Sequence, residues 1–154
     1  GSEEVRLLRL SPLLYLAAIP FLMIVTQGYH WVLDHWFHME LTIQDAAQVI
    51  TEEDTWLQAG YILAAIIAAP VYEELIFRGI LFPYLAKHFG MVGGVLAVSV
   101  VFGLIHIHIP SFLPMFLLSI VLCMAYWRTG SLWVSIGIHA IFNAVGILAI
   151  KLIY

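Results

Sequence analysis

Charged residues are scarce in this chain of 154 residues: they make up 10% of it, whereas 63% is hydrophobic. The mean hydropathy is +1.00. Because a soluble domain is about a quarter charged, these values exclude an ordinary soluble fold and favour a chain that crosses a membrane several times. The 6 Lys and Arg residues form no basic stripe, which excludes nucleic acid as a partner.

Cysteine is almost absent as well. Cys123 is the single cysteine, so it can form neither a disulfide within the chain nor a cysteine-based metal motif, and we interpret it as a small buried hydrophobe. Histidine is more abundant, with 7 residues, but the spacing of His30, His35 and His38 does not bring all three onto one helical face. The H-E-x-x-H zinc motif is missing too.

Long apolar runs dominate what is present. They predict an all-α, polytopic transmembrane bundle of about five spans, with a short interfacial or re-entrant helix at residues 41–50. Gly79 and Pro83 are expected to end the second run. Gly1 and Ser2 resemble an expression scar, which leaves open whether the natural N-terminus is truncated. The five runs are about 7–33, 56–84, 90–109, 112–127 and 132–150.

Basic residues indicate how these spans are oriented. Residues 34–54 contain neither Lys nor Arg, so this loop is expected to face outward, with the N-terminus in the cytoplasm of a prokaryotic cell. Lys151 is the exception to the pattern. The basic residues expected on the cytoplasmic side are Arg6, Arg9, Lys87 and Arg128.

Two adjacent glutamates and an arginine lie inside the second apolar run. Each ionisable group at membrane depth costs at least about 2.5–3.5 kcal/mol, so Glu73, Glu74 and Arg78 are candidate functional residues. Glu74 and Arg78 are spaced i and i+4, which favours an ion pair along one helix face. Glu73 is rotated away by about 100° and is free to meet another partner.

Other polar residues fall at similar depths in the later spans. His106 lies near the end of the third run, with Phe102 one turn before it, and His139 and Asn143 share a face of the fifth. A buried glutamate beside a histidine can take a proton from water at neutral pH, and an imidazole with an amide can stabilise an oxyanion. Together these groups favour hydrolysis of a carbonyl compound, most simply a peptide bond.

The three motifs Glu73-Glu74-x-x-x-Arg78, Phe102-x-x-x-His106 and His139-x-x-x-Asn143 resemble those of the CPBP family of CAAX-protease and bacteriocin-processing intramembrane endopeptidases. They occur in the family's order, each on a separate apolar span. The resemblance implies a glutamic-type membrane protease in a single membrane-embedded domain, residues 1–154, whose catalytic core covers about 56–150.

The resemblance also implies a role for each residue. Glu73 and His106 would activate water, and His139 and Asn143 would form the oxyanion site. Glu74 would position water or substrate, with Arg78 holding Glu74. These residues, with Phe102 as a further support, form the predicted site.

The cofactor, partner and substrate expectations follow from the same likeness. We expect no obligatory metal, although a zinc site made by Glu73, His106 and His139 is an open alternative. The expected partners are membrane lipid and a protein or peptide substrate with a hydrophobic or lipidated segment, either a CAAX-type tail or a C-terminal sorting signal. Full-size CAAX proteases have more spans than five, so a processing role on a hydrophobic tail stands beside the CAAX interpretation.

A non-catalytic membrane protein is the alternative of a different class. A proton-coupled carrier or a bacteriocin-immunity type partner-binding protein would also bury glutamate and histidine, but it needs no oxyanion pair. In that case Glu74 and Arg78 would only neutralise each other, and His139 with Asn143 would hold helices together.

Overall fold

The structure, a computed structural model, describes residues 11–42, 48, 50 and 55–153. Every regular element in this part of the chain is helical, which confirms the predicted all-α membrane bundle. Two stretches have the wider π-helical turn, π1 (Ala64–Ala68) and π2 (Leu75–Leu81). The α-helices are α1 (Ser11–Phe37), α2 (Thr55–Leu63), α3 (Ala69–Glu74), α4 (Phe82–Leu104), α5 (Ile109–Thr129) and α6 (Leu132–Ile153).

Four helical stretches among the described residues are long and apolar enough to cross a membrane, and one of them runs for 49 residues from Trp56 to Leu104. This stretch reverses direction at Gly90, where φ is 72°. A Cβ on Gly94 would lie 2.6 Å from the Ala86 Cα, whereas residues eight apart in a straight helix are separated by about 12 Å. The predicted second and third spans are therefore the two arms of one hairpin.

The expected end of the second span at Gly79 and Pro83 is wrong, because the helix continues to Gly90. The π2 turn explains how a proline is tolerated there. At its end the Phe82 N–H donates to the Phe77 carbonyl, five residues back. The wider turn gives the proline ring space that an α-helix lacks.

Two apolar clusters hold the bundle together. One joins α1, α5 and α6 around Tyr15, Leu118 and Ile138, and the other joins π2, α4 and α5 around Phe77, Phe102 and Cys123. Cys123 is fully buried, as its apolar surroundings predicted. The outward-facing leucine, isoleucine and tryptophan side chains of the helices are exposed, as expected for surfaces that contact lipid.

Two predicted features concern residues beyond those described above. The interfacial or re-entrant helix at 41–50 and the expression scar at Gly1 and Ser2 fall wholly or largely outside the described residues. The predicted core at 56–150 lies within them.

Candidate active site

The two glutamates sit on α3, a helix of six residues between π1 and π2. Single π turns occur often at functional sites. In π1 the Ala69 N–H donates to the Ala64 carbonyl, and the next residue, Pro70, has no N–H to give. The Ala65 carbonyl therefore lacks a donor in its own helix. Asn143 supplies one from α6, with its Nδ2 2.8 Å from the Ala65 oxygen.

Glu74 and Arg78 form the predicted ion pair, and both are fully buried. Arg78 Nη1 donates to Glu74 Oε1 over 2.8 Å. Arg78 Nη2 donates to the Ser119 hydroxyl at 2.7 Å and to the Ser119 carbonyl at 3.1 Å. Its guanidinium also lies 4.8 Å from the centre of the Phe102 ring. A buried cation with an anion, a hydroxyl and a carbonyl around it is compensated rather than isolated.

His139 joins the two glutamates. Its Nδ1 lies 2.9 Å from Glu74 Oε1, and its Nε2 lies 3.8 Å from Glu73 Oε2. Since a carboxylate only accepts, the first contact places a proton on Nδ1. The Nε2 atom is then turned toward Glu73 and the open side of the site. Glu74 thus orients His139, much as the aspartate of a hydrolytic triad orients its histidine.

His106 follows the end of α4, where its Nδ1 lies 2.7 Å from the Phe102 carbonyl. A carbonyl only accepts, so the proton of the neutral ring is on Nδ1 and Nε2 carries a lone pair. The Phe102 side chain separates the two histidines, with ring centres 5.1 Å from His106 and 5.7 Å from His139. Phe102 therefore fixes the spacing between the imidazoles.

A cleft of about 550 Å³ opens in front of these groups. Glu73, His106, His139 and Asn143 all line it, so the structure brings together four of the predicted residues that come from three separate spans. Glu73 is the more accessible carboxylate, with 24% of its side chain exposed. Its Oε2 is buried, lies 3.8 Å from His139 Nε2 and has no hydrogen-bond partner among the described residues.

The other three predicted residues lie behind the side chains that line the cleft. Glu74, Arg78 and Phe102 are each fully buried. Glu74 therefore reaches the cleft only through His139, whereas the family resemblance implies that Glu74 positions water or substrate. Its assigned role stays a prediction, and its position favours orienting the histidine.

Sequence reasoning missed Ser119 and the Ala65 carbonyl. A guanidinium has five N–H donors, so a buried arginine needs more acceptors than one carboxylate. That count points to a hydroxyl in a neighbouring span. A proline inside an apolar helix likewise implies an unpaired carbonyl one turn earlier, for which Asn143 is the available donor.

The geometry bears on the zinc alternative. Among the residues that the structure describes, no three His, Cys, Asp or Glu side chains are grouped closely enough to hold a metal ion. Glu73, His106 and His139 line the same cleft without forming such a group.

A helical membrane bundle with carboxylate, imidazole and amide groups around one internal cleft defines a class of membrane protein equipped for acid–base chemistry within the bilayer. Residues 55–145 match the family model described as "Type II CAAX prenyl endopeptidase Rce1-like". Because this match covers more than half of the chain, the chain belongs to the Rce1-like family of type II CAAX prenyl endopeptidases.

One curated relative is the Bacillus subtilis (strain 168) protein named "Putative membrane peptidase YdiL", which is 32% identical over 82 residues. The alignment covers 53% of this chain and 34% of the relative, so the chain spans about a third of the relative's length. No solved structure matches significantly.

Proposed function

We propose that this protein is a glutamic-type intramembrane endopeptidase, which hydrolyses a peptide bond in a protein or peptide substrate at the cleft. The observation that carries the proposal is the meeting of Glu73, His106, His139 and Asn143 at one cleft. Membership of a peptidase family supports it. Neither a carrier nor a partner-binding protein requires a general base and an oxyanion site in the same cleft.

Water activation falls to Glu73 and His106. Glu73 lines the cleft with 24% of its side chain exposed, and the Nε2 lone pair of His106 is not used in the bond that Nδ1 makes to the Phe102 carbonyl. A water held between them loses a proton as its oxygen attacks the carbonyl carbon. The same proton can then pass to the leaving amine.

His139 and Asn143 stabilise the tetrahedral oxyanion. With a proton on both ring nitrogens, His139 donates from Nε2 to the oxyanion while its Nδ1 donates to Glu74 Oε1. Asn143 has two amide hydrogens, of which one is used by the Ala65 carbonyl. The second is available to the oxyanion.

The proposal is tested with the protein reconstituted in liposomes. Two fluorogenic peptides serve as probes, one ending in S-farnesylcysteine followed by three residues and one ending in an uncharged apolar segment. We expect cleavage of at least one, and a loss of about 10²–10⁴-fold in His106→Ala. His88→Ala is the matched control, since His88 makes the same bond to the carbonyl four residues earlier but lies outside the cleft. Wild-type protein that cleaves neither probe, or His106→Ala that cleaves as fast, would overturn it.

The apolar end of the cleft supports a substrate with a hydrophobic or lipidated segment. Gly146 lines this end with Ile147 and Ile150, and a Cβ at Gly146 would meet no atom within 4 Å. Gly146→Leu should therefore fill the space meant for substrate and raise KM at least about tenfold, the effect of losing some 1.4 kcal/mol of binding. Gly60→Leu is the control, because Gly60 is equally open but lies away from the cleft. Equal KM values for the two variants would contradict this use of the cleft.

The two uses of Asn143 can be separated through Pro70. If Asn143 only pairs the Ala65 carbonyl, Pro70→Ala restores a backbone N–H and Asn143→Leu becomes harmless in that background. If Asn143 also donates to the oxyanion, we expect about a 10²-fold loss of kcat in both backgrounds. A carrier would be far less sensitive to either change. Full recovery of kcat in the double variant would remove Asn143 from the oxyanion site.

We further propose that hydrolysis needs no bound metal. The spacing of Glu73, His106 and His139 supports this. Activity that survives a strong chelator, in protein shown by elemental analysis to carry no zinc, is the expected result. Loss of activity on chelation and its return with zinc would favour the zinc hydrolase instead.

The proposed location is a prokaryotic cell membrane with a cytoplasmic N-terminus. Lys87 and Arg128 support it, because each lies next to a turn, Gly90 and Gly130, on the same side of the bundle. A cysteine introduced at Arg128 should react with a membrane-impermeant reagent only in inside-out vesicles. Labelling in intact cells would reverse the orientation.

A further inference from the structure

Helix α1 contacts the segment of chain that follows His106. His30 Nε2 lies 2.9 Å from the Pro110 carbonyl, and the Tyr29 hydroxyl donates to the Ile109 carbonyl over 2.7 Å. Neither residue belongs to the part of the chain that matches the family model, which begins at residue 55. The two bonds tie the first span to the N-terminal turn of α5.

The Pro110 carbonyl needs this outside donor. In an α-helix it would accept from the N–H four residues later, but that residue is Pro114, which has none. A carbonyl left unpaired away from water is unfavourable, because it loses the hydrogen bonds that water would make. His30 supplies the missing hydrogen, which also establishes that its Nε2 carries a proton.

The turn between His106 and Pro110 has a conformation that needs support. Ile107 has φ of 47°, a left-handed value that a β-branched residue rarely adopts. The Ile107 N–H is bonded to the Leu104 carbonyl at 3.0 Å, and Thr42 Oγ1 lies 3.2 Å from His108 Nε2. Helix α1 and Thr42 thus hold the part of the turn that follows His106.

His30 and His106 line the same cleft. Because the turn begins at His106, a change in the conformation of the turn moves a side chain of the site. His106 is fixed on one side by its bond to the Phe102 carbonyl. On the other side the chain is fixed at Pro110 by His30. Releasing the Pro110 carbonyl leaves only the bonds of Tyr29 and Thr42 on this side, so the strained turn can relax and shift the His106 ring.

We propose that His30 is a positioning residue of the site: by donating to the carbonyl that Pro114 leaves unpaired, it holds the turn that carries His106. The proposal rests on the proposed function for its effect on catalysis, but not for the structural effect. It makes α1 a working part of the site and not only a membrane anchor.

The test is a set of variants in the full chain, reconstituted in liposomes. His30→Leu removes the donor, His30→Gln keeps an amide donor at nearly the same reach, and Pro114→Ala gives α5 its own N–H for the Pro110 carbonyl. His35→Leu is the control, since His35 is an exposed histidine of the same helix that stacks on Trp31. Hydrogen exchange of the peptides covering residues 104–113 is measured together with kcat and KM on the fluorogenic probes.

We expect His30→Leu to raise exchange across 104–113 and to lower kcat roughly 10- to 100-fold, the scale of a misplaced catalytic group, with KM little changed. His30→Gln should restore most of both values. In the Pro114→Ala background, His30→Leu should have little effect on either, because the helix then makes the bond itself. His35→Leu should match the wild type.

Two results would overturn the proposal. One is unchanged exchange in His30→Leu. The other is a loss of kcat, or a rise in KM, that Pro114→Ala does not repair, which would place His30 in direct contact with substrate. If the wild-type protein cleaves no probe while the exchange pattern follows the expected order, the proposed function fails and the structural role of His30 stands.

Discussion

Replacing Glu73 with glutamine should lower kcat roughly 10⁴-fold, the upper end of what one positioned acid–base group contributes. The amide has nearly the same shape as the carboxylate but cannot take a proton. Glu73 is the carboxylate that lines the cleft, whereas Glu74 is fully buried and contacts Arg78 and His139 through its Oε1. The loss should therefore appear in kcat, with KM nearly unchanged, in the liposome assay.

The matched control for this change is Glu40→Gln, which removes the same charge from an exposed position outside the cleft. It should retain wild-type kcat. Thermal unfolding in detergent should show that Glu73→Gln is folded, since it leaves no new charge buried. A Glu73→Gln protein with kcat within tenfold of the wild type would assign the base to another residue.

Replacing Arg78 with methionine should destabilise the protein by about 3–5 kcal/mol, the cost of leaving a buried charge without its partner. Arg78 makes three hydrogen bonds, to Glu74 and to both oxygens of Ser119, and no part of it is exposed. Methionine fills much of the volume, so the loss is electrostatic and not a cavity. The free energy of unfolding in mixed micelles is the measurement.

Arg128→Met is the control, because Arg128 is an exposed cation at the end of α5, where it stacks on Trp127. It should cost less than about 1 kcal/mol. Adding Glu74→Gln to Arg78→Met removes the orphaned charge and should recover part of the stability. If the double variant is no more stable than Arg78→Met alone, the loss does not come from an uncompensated Glu74.

The sequence was enough to predict contacts between residues that lie one helical turn apart along the chain. Glu74 and Arg78 are one turn apart, and Phe102 and His106 are one turn apart, so helical spacing alone places each pair in contact. The contact of Glu74 with His139 was not predictable in the same way. It depends on the rotation of α6 against α3, which packing between spans determines.

Backbone groups limited the prediction in a second way. Pro70 and Pro114 each leave a carbonyl without a donor, but which carbonyl depends on whether the helix has an α or a π turn at that point. In π1 it is Ala65, one residue earlier than an α-helix would give. The helix that carries the glutamates ends at Gly90, not at Gly79 or Pro83. The positive φ of Gly90 allows the chain to reverse direction, whereas the π2 turn lets the helix continue through Pro83.

The central claim is that the cleft hydrolyses peptide bonds through Glu73. Each cleavage produces a new C-terminus in a membrane protein, so the claim can be tested without knowing the substrate. Membranes are compared by mass spectrometry of protein C-termini in cells that make equal amounts of the wild-type protein or Glu73→Gln from the native locus. We predict C-termini that appear only with the wild type and lie next to hydrophobic or lipidated segments. The same set of C-termini in both kinds of cell would contradict the account.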